Sequence, residues 1–132
     1  MIDFFVGQKA SVVKTIKDED VRDFARISGD DNPIHLDENY AANSMFGKRI
    51  VHGILVSGLI SRVIGTILPG EGAIYLSQSL KFLKPVYIDD TVKAEAEVIK
   101  LDEARGRMTL KTIVCRGEDC VLTGEALVMV PQ

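Results

Sequence analysis

At 132 residues the chain is long enough for one domain with a single buried core, and a hydrophobic fraction of 46% excludes a disordered chain. A net charge of −3 leaves no basic footprint for nucleic acid. The opening MIDFFVGQK has neither a basic leader nor a long apolar core, so no secretory signal is read and the expected compartment is the cytoplasm.

Residues Ala10 to Thr15 (ASVVKT) have the character of a short first strand. Asp18 then offers an N-cap, and Glu19 and Asp20 put negative charge where a helix N-terminus favours it. In the following EDVRDFARIS, Val21, Phe24, Ala25 and Ile27 fall near one face, which predicts a short amphipathic helix ended by Ser28-Gly29. GDDNPIH comes next, dense in turn formers, with Pro33 pushing Asn32 out of helical geometry. Asp37 caps a predicted second short helix, DENYAANSMF, closed by Gly47.

His52 to Leu68, HGILVSGLISRVIGTIL, is apolar on nearly every side, and Arg62 is its only charge. A helix without a polar face belongs inside a structure. It is shorter than the roughly 20 residues that cross a bilayer, so membrane insertion is not expected. Gly53, Ser57, Ser61 and Gly65 lie four apart and form one stripe without bulky side chains, along which a sheet or a flat ligand can approach the backbone. Pro69-Gly70 stops the helix.

The second half reads as strands: AIYLSQSLKFLK, DTVKAEAEVIKL, RMTLKTIVCR and CVLTGEALVMV, separated by short polar turns. Alternation is clearest from Thr91 to Val98, where Val92, Ala94, Ala96 and Val98 share a face. The pattern predicts a single α+β domain over 1–132, an antiparallel β-sheet arranged as a meander and wrapped around a central buried α-helix. One sheet cannot surround that helix on every side, so a homodimer is expected to cover the remainder. Cys115 and Cys120 flank RGED and can face each other across a hairpin. In a reducing compartment a disulfide between them is not expected, and two thiols without neighbouring histidines make no zinc site.

Only two histidines occur, His35 and His52. Asp30, Asp31, Asn32 and His35 crowd one short loop. Turn chemistry accounts for the aspartates and the asparagine, whose side chains bond to nearby backbone, but does not call for His35. A carboxylate and an imidazole on one bent loop can share a water or a substrate atom. No GxGxxG or GxxxxGK[ST] is present, so no dinucleotide or nucleotide triphosphate site is indicated, and no metal site is read.

The run Phe24-Ala25-Arg26-Ile27-Ser28-Gly29-Asp30-Asp31-Asn32-Pro33-Ile34-His35, with Ala41 beyond it, resembles the signature of the MaoC-like (R)-specific enoyl-CoA hydratases. IVHGILVSGLIS and IYLSQSLKFLKPV extend the resemblance over most of the chain, closest to the small single-domain hydratases that supply polyester synthesis. It implies a hot-dog fold and syn addition of water to a trans-2-enoyl-CoA thioester, giving (R)-3-hydroxyacyl-CoA. It assigns Asp30 and His35 as the catalytic pair and Asn32 to holding the loop or the water. The Gly53 amide becomes the oxyanion donor at the helix N-terminus, with Ser61 and Ser57 lining the slot. No cofactor is implied beyond coenzyme A as part of the substrate. His52 is expected to pack or cap the helix start, and Lys48, Arg49, Lys81 and Lys84 are weak candidates for the phosphates of coenzyme A. The alternatives are an (R)-3-hydroxyacyl-ACP dehydratase with the same residues, an acyl-CoA thioesterase, and a non-catalytic acyl-CoA-binding module of the same fold.

Overall fold

The computed structural model describes residues 2–132. Its elements are β1 (Lys9–Thr15), α1 (Asp18–Ser28), α2 (Pro33–Leu36), α3 (Glu38–Ala42), α4 (Gly53–Thr66), β2 (Ile74–Gln78), β3 (Lys81–Phe82), β4 (Thr91–Asp102), β5 (Arg107–Arg116) and β6 (Asp119–Met129). The strands form one antiparallel sheet in the order β1-β4-β5-β6-β2, and β3 also pairs with β6. The sheet and its central helix make the α+β architecture expected from the pattern, the hot-dog fold that the resemblance implies.

The alternation in β4 has the expected result: Val92, Ala94, Ala96 and Val98 are all buried. Val56, Leu59, Ile60, Val63 and Ile64 of α4 are buried with them in one core, which also takes Met108, Leu110, Val114, Leu122 and Val128 from β5 and β6. Burying large aliphatic side chains of this kind contributes about 1.5–3 kcal/mol each, so the face that α4 turns to the sheet holds the fold.

Several expectations are corrected. The meander holds only for β4, β5 and β6, because β2 and β3 lie against β6 at the far edge and not beside β4. The stretch AIYLSQSLKFLK is two strands and not one. Around Ser79 the backbone runs so close to Gly124 of β6 that a side chain at 124 would collide with the Ser79 carbonyl, 1.8 Å from an added Cβ. Glycine at 124 permits that crossing, and period-2 alternation carries no sign of it.

Helix α1 starts from Lys17, not Asp18: the Asp20 carboxylate accepts the Lys17 N–H at 2.9 Å, leaving Asp18 free for Arg22 and Arg49. Its other end agrees with the reading, since Gly29 takes the left-handed conformation (φ 80°) and donates to the Ala25 carbonyl. Helix α3 is capped by Asp37 as expected but stops at Ala42, four residues before Phe46. The loop at 33–36 closes into the short helix α2, with Pro33 in its first turn and the Asn32 side chain accepting from the Ile34 N–H.

The later part of the small-residue stripe of α4 does not face the sheet. Ser61 and Gly65 are exposed, and Gly58 and Gly65 have open space where a side chain would stand. Within one chain α4 is therefore half-covered, with Ile54 and Ile67 also exposed. No helix of the described residues is long and apolar enough to cross a membrane. Cys115 lies opposite Cys120 in the β5–β6 hairpin, and both are free thiols.

Candidate active site

The site is assembled where the loop after α1 meets the start of α4. Asp30 sits just beyond the left-handed Gly29, on a loop whose local turns are closed by Asp30 N–H to the Ser28 Oγ (3.1 Å) and Asp31 N–H to the Gly29 carbonyl (3.0 Å). Asn32 spends its side-chain oxygen capping α2, so it holds the loop and orients His35 one turn later. Asp30, His35 and His52 each place a side-chain donor or acceptor atom within 4.8 Å of the others. Asp30 is exposed, whereas His35 and His52 are buried.

The tautomer of His35 follows from its partner. Nδ1 lies 2.8 Å from the Ile50 carbonyl, which only accepts, so Nδ1 carries the hydrogen and Nε2 keeps a basic lone pair. Burial pushes the His35 pKa below its ordinary value, and the neighbouring His52 and Arg49 push the same way. The bond to Ile50 and the Asp30 carboxylate oppose them. A neutral imidazole with a free Nε2 is the form a general base requires.

His52 occupies the N-cap position of α4 yet gives the helix no side-chain cap. Its Nε2 lies 2.9 Å from the Asp30 carbonyl and must donate to it, and its ring stacks on His35 with centroids 3.8 Å apart and planes inclined by 26°. Three potential metal donors thus stand close together, but stacked rings send their in-plane lone pairs side by side, not to one point. The His35 Nδ1 and His52 Nε2 are moreover engaged by carbonyls. This is poor geometry for a tetrahedral ion and good geometry for a carboxylate and an imidazole sharing a water.

Gly53 follows His52 directly, which puts the amino end of α4 beside the Asp30–His35 pair. Both short helices have a side-chain cap, from Asn32 and Asp37, while α4 has none. The N–H of Gly53 therefore belongs to the unpaired set at the positive end of the helix dipole. A cleft of about 410 Å³ is lined by Gly53, Ile54, Ile50, Phe46, Phe82 and Val121 among others, and of the site it reaches Gly53 but not Asp30 or His35. The Phe82 ring stands so close to Gly53 that its Cε1 would lie 2.5 Å from an added Cβ.

Ser57 and Ser61 are not among the residues lining that cleft. Ser61 is exposed on the outer face of α4, and the Ser57 hydroxyl donates to the Ile54 carbonyl at 2.6 Å. Among the described residues neither serine is hydrogen-bonded to Asp30 or His35. Arg49 is no phosphate ligand. It is buried, donates to the His35 carbonyl at 2.7 Å and pairs with Asp18 at 2.5 Å, tying α2 to α1. Hydrogen bonds from Arg22 and Arg49 hold the Asp18 carboxyl below its ordinary range. Lys84 pairs with Asp119 at 2.8 Å, and the Lys48 ammonium lies 4.5 Å from the centre of the Tyr87 ring. The clamp by Arg49, the loop contact of His52 and the Phe82 wall were not read from the sequence. The first two carry no periodic signal, and the third depends on where β3 lies against β6.

Known proteins resemble this chain over most of its length. A 3-hydroxybutyryl-CoA dehydratase of Methylorubrum extorquens is 49% identical over 98% of this chain and 83% of its own length. An (R)-specific enoyl-CoA hydratase of Rhodospirillum rubrum is 49% identical over 95% of this chain and 87% of its own. The two names describe opposite directions of one type of reaction. The solved structure of the (R)-hydratase from A. caviae involved in PHA biosynthesis superposes with a TM-score of 0.95, at 45% identity and 98% coverage of both chains. The family model described as MaoC like domain matches residues 6–117. With the family model matched over residues 6–117 and relatives at 49% identity covered over 83% and 87% of their own length, this chain belongs to the MaoC-like family.

Proposed function

We propose that this protein is a hydro-lyase that adds water to trans-2-enoyl-CoA thioesters to form (R)-3-hydroxyacyl-CoA. The observation that carries the reading is the Asp30–His35 pair at the amino end of α4, with His35 fixed in the tautomer that leaves Nε2 basic. A water held between the two side chains attacks C3 while Nε2 takes its proton. Charge moves onto the thioester oxygen, which the Gly53 N–H receives. Asp30, ionised while it holds the water, takes that proton from His35 and passes it to C2, so both side chains end as they began and no cofactor is consumed. Delivery of hydroxyl and proton from one face makes the addition syn. The apolar cleft at Gly53 supplies room for the thioester and the groups beside it.

Incubation with crotonyl-CoA, following enoyl absorbance and free thiol together, tests the reaction class. Loss of absorbance without thiol is the expected result. Thiol release would make the protein a thioesterase, and no change in either signal would make it a binding module.

The pH dependence follows from His35. Its pKa is lowered from 6.5 by burial, so the neutral base persists as pH falls through 6.5 and is lost only beneath it. The acid limb of kcat/KM is expected to be centred below pH 6.5. A limb centred above that value would separate His35 from the base role.

The working unit is a homodimer in the cytoplasm. Support for the dimer comes from the exposed apolar groups Ile67 at the end of α4 and Ile74 and Leu76 on β2, outside the cleft, an apolar surface that a second copy would cover. Light scattering at assay concentration is expected to give twice the chain mass, and a fully active monomer would contradict it.

A further inference from the structure

We propose that His52 is the positioning residue of this site, acting through a hydrogen bond that fixes the Asp30 loop against the start of α4; the inference rests on the hydration reading above. Among the described residues, the bonds made by residues 29–32 run to neighbours within a few positions, with one exception. That exception is the His52 Nε2–H donated to the Asp30 carbonyl at 2.9 Å, from 22 residues away. Arg49 secures the other end of the loop through the His35 carbonyl, so His52 alone holds the segment that carries the carboxylate.

The same ring sets the second member of the pair. One contact is the stack on His35, and the other is Phe24, whose centroid is 4.7 Å away at an inclination of 55°. His52 is 2% exposed and is bonded directly to Gly53, so one side chain touches the residues proposed to handle water and precedes the amide proposed to take the charge.

Simple packing does not explain an imidazole here. Its Nδ1 is buried with no hydrogen-bond partner among the described residues. Such an atom is destabilising, and a phenyl ring of similar size would fill the space without it. What the imidazole supplies and the phenyl does not is the Nε2–H aimed at the Asp30 carbonyl. The loop must stay where the carboxylate meets the same water as His35, and a displacement of about 1 Å in such a constellation costs on the order of 100-fold in rate.

His52→Phe keeps ring volume and stacking but removes the donor, whereas His52→Gln gives up the ring and restores a donor near the Nε2 position. In the intact protein assayed on crotonyl-CoA, His52→Phe is expected to lower kcat about 100-fold, with KM within about threefold. The unfolding temperature should be no lower than that of the wild type. His52→Gln is expected to recover about tenfold of that loss. Hydrogen–deuterium exchange over residues 29–32 should quicken in His52→Phe and stay nearer wild type in His52→Gln, independently of turnover. Wild-type kcat in His52→Phe, or kcat losses in both variants that track only the folded fraction, would overturn the inference while leaving the hydratase intact. A wild-type protein that does not hydrate would remove both, and that outcome is distinct because it is read before any variant is made.

Discussion

Asp30→Asn and His35→Asn are each expected to reduce hydration of crotonyl-CoA by about 1,000-fold, within the range for losing a positioned acid or base. Both variants should fold. Asp30 is exposed, and its carboxylate receives only a long contact, 3.4 Å from the Asn32 N–H, so the loop keeps its Asn32 cap without the charge. His35 is buried, and an alanine there would open a cavity beside His52. Asparagine is the sharper substitution, since its amide nitrogen can keep the bond to the Ile50 carbonyl while the basic Nε2 is lost. The two residues serve one water, so the double variant should be scarcely worse than the poorer single one. Steady-state turnover with a thermal melt on the same samples checks this, and wild-type-like kcat in either variant would remove that residue from the mechanism.

Gly53→Ala is expected to lower kcat by about 100-fold without unfolding the protein, the loss associated with one oxyanion donor. Alanine is the better helix former, and Gly53 has ordinary helical geometry, so no backbone strain arises. The added methyl instead enters the space where Phe82 stands, with Cε1 and Cδ1 at 2.5 and 2.6 Å from it. Either the half-exposed ring swings away or the methyl pushes into the cleft, and in both cases the approach of a thioester oxygen to the amide is spoiled. If crowding is the cause, Gly53→Ala combined with Phe82→Ala should regain part of the lost rate. Unchanged kcat in Gly53→Ala would move the oxyanion donor elsewhere.

The legible parts of the molecule were those whose signal is local or periodic. Val92 to Val98 alternate because one face of β4 meets α4, and Gly29 ends α1 because that turn needs a positive φ. Asp30, Asn32 and His35 are close in sequence and therefore close in space wherever the loop bends. The illegible parts depend on distant segments meeting. Asp18 offers an N-cap by its place ahead of a helical run, but Arg49, 31 residues away, claims its carboxylate. The break between β2 and β3 comes from the approach of Ser79 to Gly124, which neither segment announces. Ser57 and Ser61 follow the helix period faithfully, yet which side of α4 meets the sheet is decided by the bulk of Val56, Ile60 and Val63, and the serines face outward.

The central claim is that water reaches the enoyl thioester from a single side, carried by Asp30 and His35. Hydration of crotonyl-CoA in deuterium oxide, with the product analysed by NMR and chiral chromatography, tests it most directly. The expected product is (R)-3-hydroxybutyryl-CoA with deuterium at C2 on the same face as the new hydroxyl. Anti addition, or the (S) product, would contradict delivery by this pair.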